Sequence, residues 1–208
     1  MRKVFLSVML LQKLQPTNYV SDDFKLSEEK YNFPISYIIE QNINTGDEAE
    51  VITVVERGTG SANTAAENYN TYKDEVAGIV KSRQGKVHFT EITVNKEFDS
   101  LTFNKFFKEV ANKITDGDSI YADITFGMKP YSLSMFIALA YASKAAENVE
   151  VEDIIYAMKY SGTEYADQVN TSKIYDLTGL YHLNAIAGNA MNGQKNELDK
   201  ILNFVIQD

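Results

Sequence analysis

The residues best suited to chemistry lie in one short stretch, Phe126-Gly127-Met128-Lys129-Pro130. Gly127 permits a tight turn and the close approach of a ligand, and Lys129 is the nearest cation. Pro130 is tolerated in the first turn of a helix, where its missing N–H costs nothing. A helix that begins here leaves backbone N–H groups unpaired and carries partial positive charge at its start. That combination suits a phosphate or another small anion. A plain strand-to-helix turn with a solvent-exposed lysine has the same local sequence, so the place of the turn in the fold must decide between the two.

Other motifs fall away. A dinucleotide-binding domain places G-x-G-x-x-G after its first strand, yet no glycine precedes Gly46. Gly58-Thr59-Gly60 has Asn63 where the third glycine belongs, and no G-x-x-x-x-G-K-[ST] is present, which excludes P-loop hydrolysis. Arg83 and His88 share the R-x4-H spacing of a helical ribonuclease motif but span a glycine turn and the start of a strand, so the match reads as coincidence and His88 as a strand residue. With two histidines far apart and no cysteine, a histidine-rich metal cluster, thiolate zinc sites and disulfides are excluded. No metal and no cofactor is expected.

A net charge of -9 argues against duplex nucleic acid, which needs many cations on one face. A small anion needs only a few N–H groups and one or two cations. The longest apolar runs, Val4–Leu11 and Met135–Ala142, are shorter than the ~20 residues that span a bilayer. Without the cleavage site of a secretory signal, the sequence reads as cytoplasmic, with no membrane partner.

A scaffold for these residues is legible in the hydrophobic pattern. Lys3–Leu11 reads as a strand buried on both faces, followed by a long polar loop, Gln12–Lys30. Pro34 opens a short helix to about Asn42, and Glu50–Glu56 is a second buried strand. Asn63 is the expected N-cap of a helix to Ser82, and Lys86–Val94 alternates as a third strand. Asp99 caps a helix with Phe103, Phe106, Phe107, Val110 and Ile114 on one face. Ser119–Thr125 is the fourth strand, and a helix starts at about Pro130. Glu152–Lys159 and Lys173–Leu177 are strands five and six, with a helical segment from Leu180 to the end.

This alternation predicts one α/β domain over residues 1–208, Rossmann-like and doubly wound, with a mainly parallel six-stranded sheet and helices on both faces. The last pair of strands is where parallel pairing is expected to give way. In the order 3-2-1-4-5 the direction reverses between strands one and four, and ligands bind outside the carboxyl ends of the strands there. The loops Gln12–Tyr19 and Phe126–Pro130 flank that crevice, so topology selects the same turn as helix-terminus electrostatics. Arg57, in the turn after the second strand, and Ser161-Gly162-Thr163, after the fifth, lie on the same rim. Tyr19, Tyr121, Tyr131 and Tyr160 stand near strand ends, where they would stack on a base or simply fill the edge of the core.

The stretch Asp123-Ile-Thr125-Phe-Gly127-Met-Lys129-Pro130 resembles the D-x-T-H-G-x-R-P element of CRISPR-associated Rossmann-fold (CARF) domain proteins. The opening KVFLSVMLL strand and the closing KIYDLTGLYHLNAI, similar to the family's Y-D-L-T segment, extend the likeness along the chain. Phe126 stands where histidine is frequent and Lys129 where arginine is frequent, which keeps the charge but gives up a bidentate fork. The resemblance implies a homodimer whose paired crevices hold a cyclic oligoadenylate, cyclic tetra-adenylate rather than hexa-adenylate, in type III CRISPR antiviral signalling. A two-fold symmetric ring fits an isologous dimer.

A sensor domain without an effector domain implies a metal-independent ring nuclease, in which a ribose 2′-OH attacks the adjacent phosphorus. On that reading Lys129 and Thr125 are catalytic. The ligand contacts come from Phe126, Gly127, Met128 and Pro130, from Gln12, Lys13, Thr17 and Asn18 of the first loop, and from Arg57 and Ser161. The alternatives are a non-catalytic sensor acting through a partner effector and an enzyme for some other nucleotide.

Overall fold

The computed structural model describes residues 2–13, 17–58, 60–94, 99–159, 171–190 and 193–205. Its strands are β1 (Arg2–Val8), β2 (Asn18–Val20), β3 (Glu48–Glu56), β4 (Lys86–Val94), β5 (Asp118–Asp123), β6 (Glu150–Lys159) and β7 (Thr171–Asp176). Its helices are α1 (Pro34–Asn42), α2 (Ser61–Ser82), α3 (Ser100–Lys113), α4 (Lys129–Ala145), α5 (Thr178–Asn189) and α6 (Lys195–Val205).

The strand β1 sets the layering. Val4, Leu6 and Val8 join one core and Phe5 the other, and every residue from Val4 onward is buried. A strand that is apolar on both sides needs cover on both faces. Side chains of α1 and α2 provide it on one face, and those of α3, α4 and α5 on the other. The sheet runs β2-β7-β6-β5-β1-β3-β4, parallel throughout except between β6 and β7. The order therefore reverses between β1 and β5, as expected, and the doubly wound α/β fold is seen directly.

Two local features differ from the sequence reading. The sheet has seven strands rather than six, because Asn18–Val20 of the first loop pairs with β7. Those three residues carry no apolar run, so their strand exists through its partner and not through its own pattern. The second difference is at α2, whose N-cap is Gly60 with φ of 70°, not Asn63. Asn63 lies inside the first turn, its amide donating to the Gly60 carbonyl at 3.0 Å. The cap at Asp99 is as expected, accepting from the Thr102 amide at 2.7 Å, and Pro130 sits at the second position of α4.

The helix α1 shows how this fold handles a buried terminus. Pro34 to Ile39 are all buried, and the N-cap residue Phe33 has no side-chain acceptor for the orphan amides. Glu75 of α2 supplies one from outside the helix. Its carboxylate accepts from the Asn32 amide at 2.7 Å, the Asn32 side chain at 2.8 Å, the Phe33 amide at 3.3 Å and the Ser36 hydroxyl at 2.6 Å. The Asp123 carboxylate lies against the Ile35 amide, which favours its charged form. Removing the Glu75 acceptor strands several donors at once, so Glu75→Ala is expected to cost about 2–3 kcal/mol, with Glu75→Gln in between, measured by urea unfolding at constant pH.

Candidate functional site

The crevice is built on the last residue of β5. Asp123 is 1% exposed, and its Oδ1 accepts from the Thr125 amide at 2.8 Å. With the Ile35 amide also on this carboxylate, one side chain fixes both the turn that follows β5 and the start of α1. Burial pushes the Asp123 carboxyl up to about 6, against the pull of the hydrogen bonds from Thr125 and Ile35. The Thr125 hydroxyl in turn accepts from the Ala157 amide of β6 at 2.8 Å. Its oxygen braces the turn against the sheet, and its hydroxyl also lies against the Asp123 carboxylate.

The next residue, Phe126, packs into the α1/α2 core edge-on to Phe33, with ring centroids 6.5 Å apart. Gly127 has φ of 84°, and a Cβ there would lie 2.3 Å from the Val8 Cγ1. The missing side chain thus lets the turn close on the end of β1, instead of opening room for a ligand at that point. Met128 packs on the opposite core and precedes α4 without a side-chain cap. Among the described residues, the amides of Phe126 to Lys129 make no hydrogen bond. Lys129 and Pro130 are exposed, and Lys129 has no ion pair with a described residue. Four amides and one cation without partners among the described residues thus adjoin at the strand-order reversal, the combination that attracts an anion.

The remaining candidates separate. Gln12 and Lys13 are exposed beside the crevice, and their segment is tied down by Asn68 of α2, whose side-chain amide donates to the Leu10 and Gln12 carbonyls at 2.8 and 2.9 Å. Thr17 is buried, and Asn18 opens β2 at the sheet margin. Three strand spacings separate β2 from β5, roughly 14 Å, so Asn18 does not join Lys129 in this subunit. The Arg57 guanidinium forks onto Glu91 of β4 at 2.7 and 2.5 Å. This pairing holds the Arg57 pKa above and the Glu91 pKa below their ordinary values, and the charge is neutralised rather than offered to a ligand. Ser161 and Tyr160 lie outside the described residues.

The tyrosines near strand ends are mostly core. Tyr121 stacks on Phe5 at 4.9 Å, Tyr131 is 2% exposed, and Tyr19 packs edge-on to Tyr37 at 5.7 Å. His88 is an exposed strand residue with Nδ1 2.9 Å from Glu50. Among the described residues no group of three or more histidine, aspartate or glutamate side chains is placed to hold a metal, and no helix is long and apolar enough to cross a membrane. The sequence reading missed Asn68 and Glu75, two polar residues within the apolar stripe of α2. Their position between Ala65, Tyr72, Val76 and Ile79 was the available signal.

No protein-family model matches the chain, and no curated protein matches it. Among solved structures, a "putative phosphofructokinase" from Staphylococcus aureus is similar over 97% of this chain and 68% of its own, at 10% identity and a TM-score of 0.38. A likeness that distant carries no argument about ligand or activity.

Two outcomes follow from the geometry around Asp123 and Gly127. Gly127→Ala adds both a positive-φ penalty and a clash with Val8, and is expected to cost about 2–4 kcal/mol in urea unfolding, with partial recovery in the double variant carrying Val8→Ala. The Asp123 carboxyl titrates at about 6 in the folded chain and near ~3.9 in the unfolded one. Between those values the folded state holds a proton that the unfolded state has shed, so stability falls as pH rises through that window. Asp153, also pushed up to about 6 by burial beside Asp176 and Glu152, contributes with the same sign to both proteins compared. Relative to Asp123→Asn, the wild type is expected to lose roughly 2–3 kcal/mol between about pH 4 and pH 7, read from urea midpoints at each pH.

Proposed function

We propose that this chain is a cytoplasmic CARF-type protein that binds a cyclic oligoadenylate as a homodimer, cyclic tetra-adenylate in preference to hexa-adenylate, and cleaves it without a metal. The observation that carries this reading is the position of the Asp123–Pro130 motif. It sits at the central strand-order reversal, with unpaired amides and the unpaired Lys129 side by side. A two-fold pairing of two such turns would present two anion sites to a symmetric ring.

In the proposed reaction the ribose 2′-oxygen attacks the adjacent phosphorus and the 5′-oxygen leaves. The 2′-proton passes to water, and the departing 5′-oxygen takes one from water. The products are linear, with a 2′,3′-cyclic phosphate and a 5′-hydroxyl. Lys129 and the turn amides stabilise the charge on the phosphoryl oxygens, and the Thr125 hydroxyl donates to them on leaving the Asp123 carboxylate. A second reading, a sensor that binds the ring intact and acts through a partner effector, is favoured by one observation: the Thr125 oxygen is already engaged by Ala157.

Incubation with cyclic tetra- and hexa-adenylate in the presence of a metal chelator separates these readings. Linear products with cyclic-phosphate ends are expected from a nuclease, tight binding with the ring intact from a sensor, and no binding to either ring rejects both. Lys129→Ala is expected to weaken binding at least tenfold by titration calorimetry, the ~1.4 kcal/mol of one charge-assisted phosphate contact.

A further inference from the structure

The residues after β1 and the Gly127–Met128 turn meet over a pocket of about 10 Å³, the space of a single water-sized group. Its walls are largely apolar, from Val8, Met9, Leu11 and Met128, and two polar side chains line it, Glu56 and Tyr131. Glu56, at the end of β3, is 6% exposed, and Tyr131, in the first turn of α4, is 2% exposed. The Tyr131 hydroxyl is buried without a hydrogen-bond partner. Among the described residues the Glu56 carboxylate has no ion pair or hydrogen bond, but unlike the Tyr131 hydroxyl its oxygens stay open to solvent. The adjacent cation, Arg57, is bound to Glu91.

A buried phenol hydroxyl without a partner costs stability. Phenylalanine would serve the core better than Tyr131, so the hydroxyl calls for an occupant, which the Glu56 carboxylate beside it would share. A phosphate is the wrong one, because the carboxylate repels it. The pocket offers one acceptor in Glu56 and one donor in Tyr131. Its complement is an amino group beside a ring nitrogen that carries a lone pair, the edge that adenine presents. The volume admits an amino group and not a ring. The amine would therefore enter first, with the ring at the mouth against Leu11 and Met128.

We infer that Glu56 and Tyr131 form a subsite that reads the exocyclic amine of an adenine base, while the adjoining turn amides hold the phosphate attached to it. The inference rests on the cyclic-oligoadenylate reading of the same crevice and goes further by assigning the base-discriminating residues. Hypoxanthine would place a carbonyl oxygen against the Glu56 carboxylate, acceptor facing acceptor, and a site built for a donor rejects such an analogue strongly.

The test is titration calorimetry of the intact protein with cyclic tetra-adenylate and with cyclic tetra-inosinate. The wild type is expected to prefer the adenylate ring by about 100-fold or more, Glu56→Leu to shrink that preference to within about threefold, and Tyr131→Phe to weaken adenylate binding by about tenfold. Glu56→Leu should fold with an unchanged thermal midpoint, since no described residue pairs with the carboxylate it removes. Equal binding of the two rings by the wild type, or a preference that survives Glu56→Leu, overturns the subsite and leaves the crevice reading intact. A midpoint lowered by several degrees in Glu56→Leu makes Glu56 a structural residue and also overturns it. Binding of neither ring overturns the subsite and the crevice reading together.

Discussion

A carboxylate with almost no access to water holds the two halves of this crevice together. Asp123 ends β5, accepts from the amide of Thr125 and lies against that of Ile35, and so links the turn before α4 to the first turn of α1. The helix cannot solvate its own terminus, and its entry residue is a phenylalanine. The cost of burying the charge is offset by the donors it satisfies, although not fully, since its affinity for a proton is raised. A side chain in this position determines geometry on both sides of the sheet's carboxyl edge.

Around that anchor, much of the polar inventory is already committed to structure. Asn68 holds the residues after β1, Thr125 braces β6, Glu75 completes α1, and Arg57 and Glu91 neutralise each other. At the turn itself, among the described residues, the amides from Phe126 to Lys129, the Lys129 ammonium and the Tyr131 hydroxyl beneath them stay uncommitted. In an acidic chain, that local surplus of donors stands out against the general charge.

The parts of the fold legible in the sequence were those whose signal is local. The runs in β1, β3 and β5 are apolar because both their faces are covered, and the Asp99 cap with its phenylalanine stripe announces α3 within a few residues. The turn at Gly127 was legible as well, but the reason for its glycine was not. Contact with Val8 joins positions more than a hundred residues apart, which no periodicity records. The same holds for Arg57 with Glu91 and for Glu75 with the start of α1, pairings set by strand register and helix packing. Glu56 had a weak local signal, a lone carboxylate closing an apolar strand, yet its burial follows from α4 packing over it.

The brevity of β2 has a consequence at the margin of the sheet. A nine-residue outer strand such as β4 exposes a long row of backbone donors and acceptors, and here Lys86 and His88 stand exposed along it, pairing with Glu48 and Glu50 of the neighbouring strand. On the opposite margin, β7 would offer an open row of six residues if it were outermost. The three residues laid against it shorten that row to a stub, too short to template the addition of foreign strands. A segment with no apolar pattern of its own thereby guards the molecule against self-association by edge-to-edge growth.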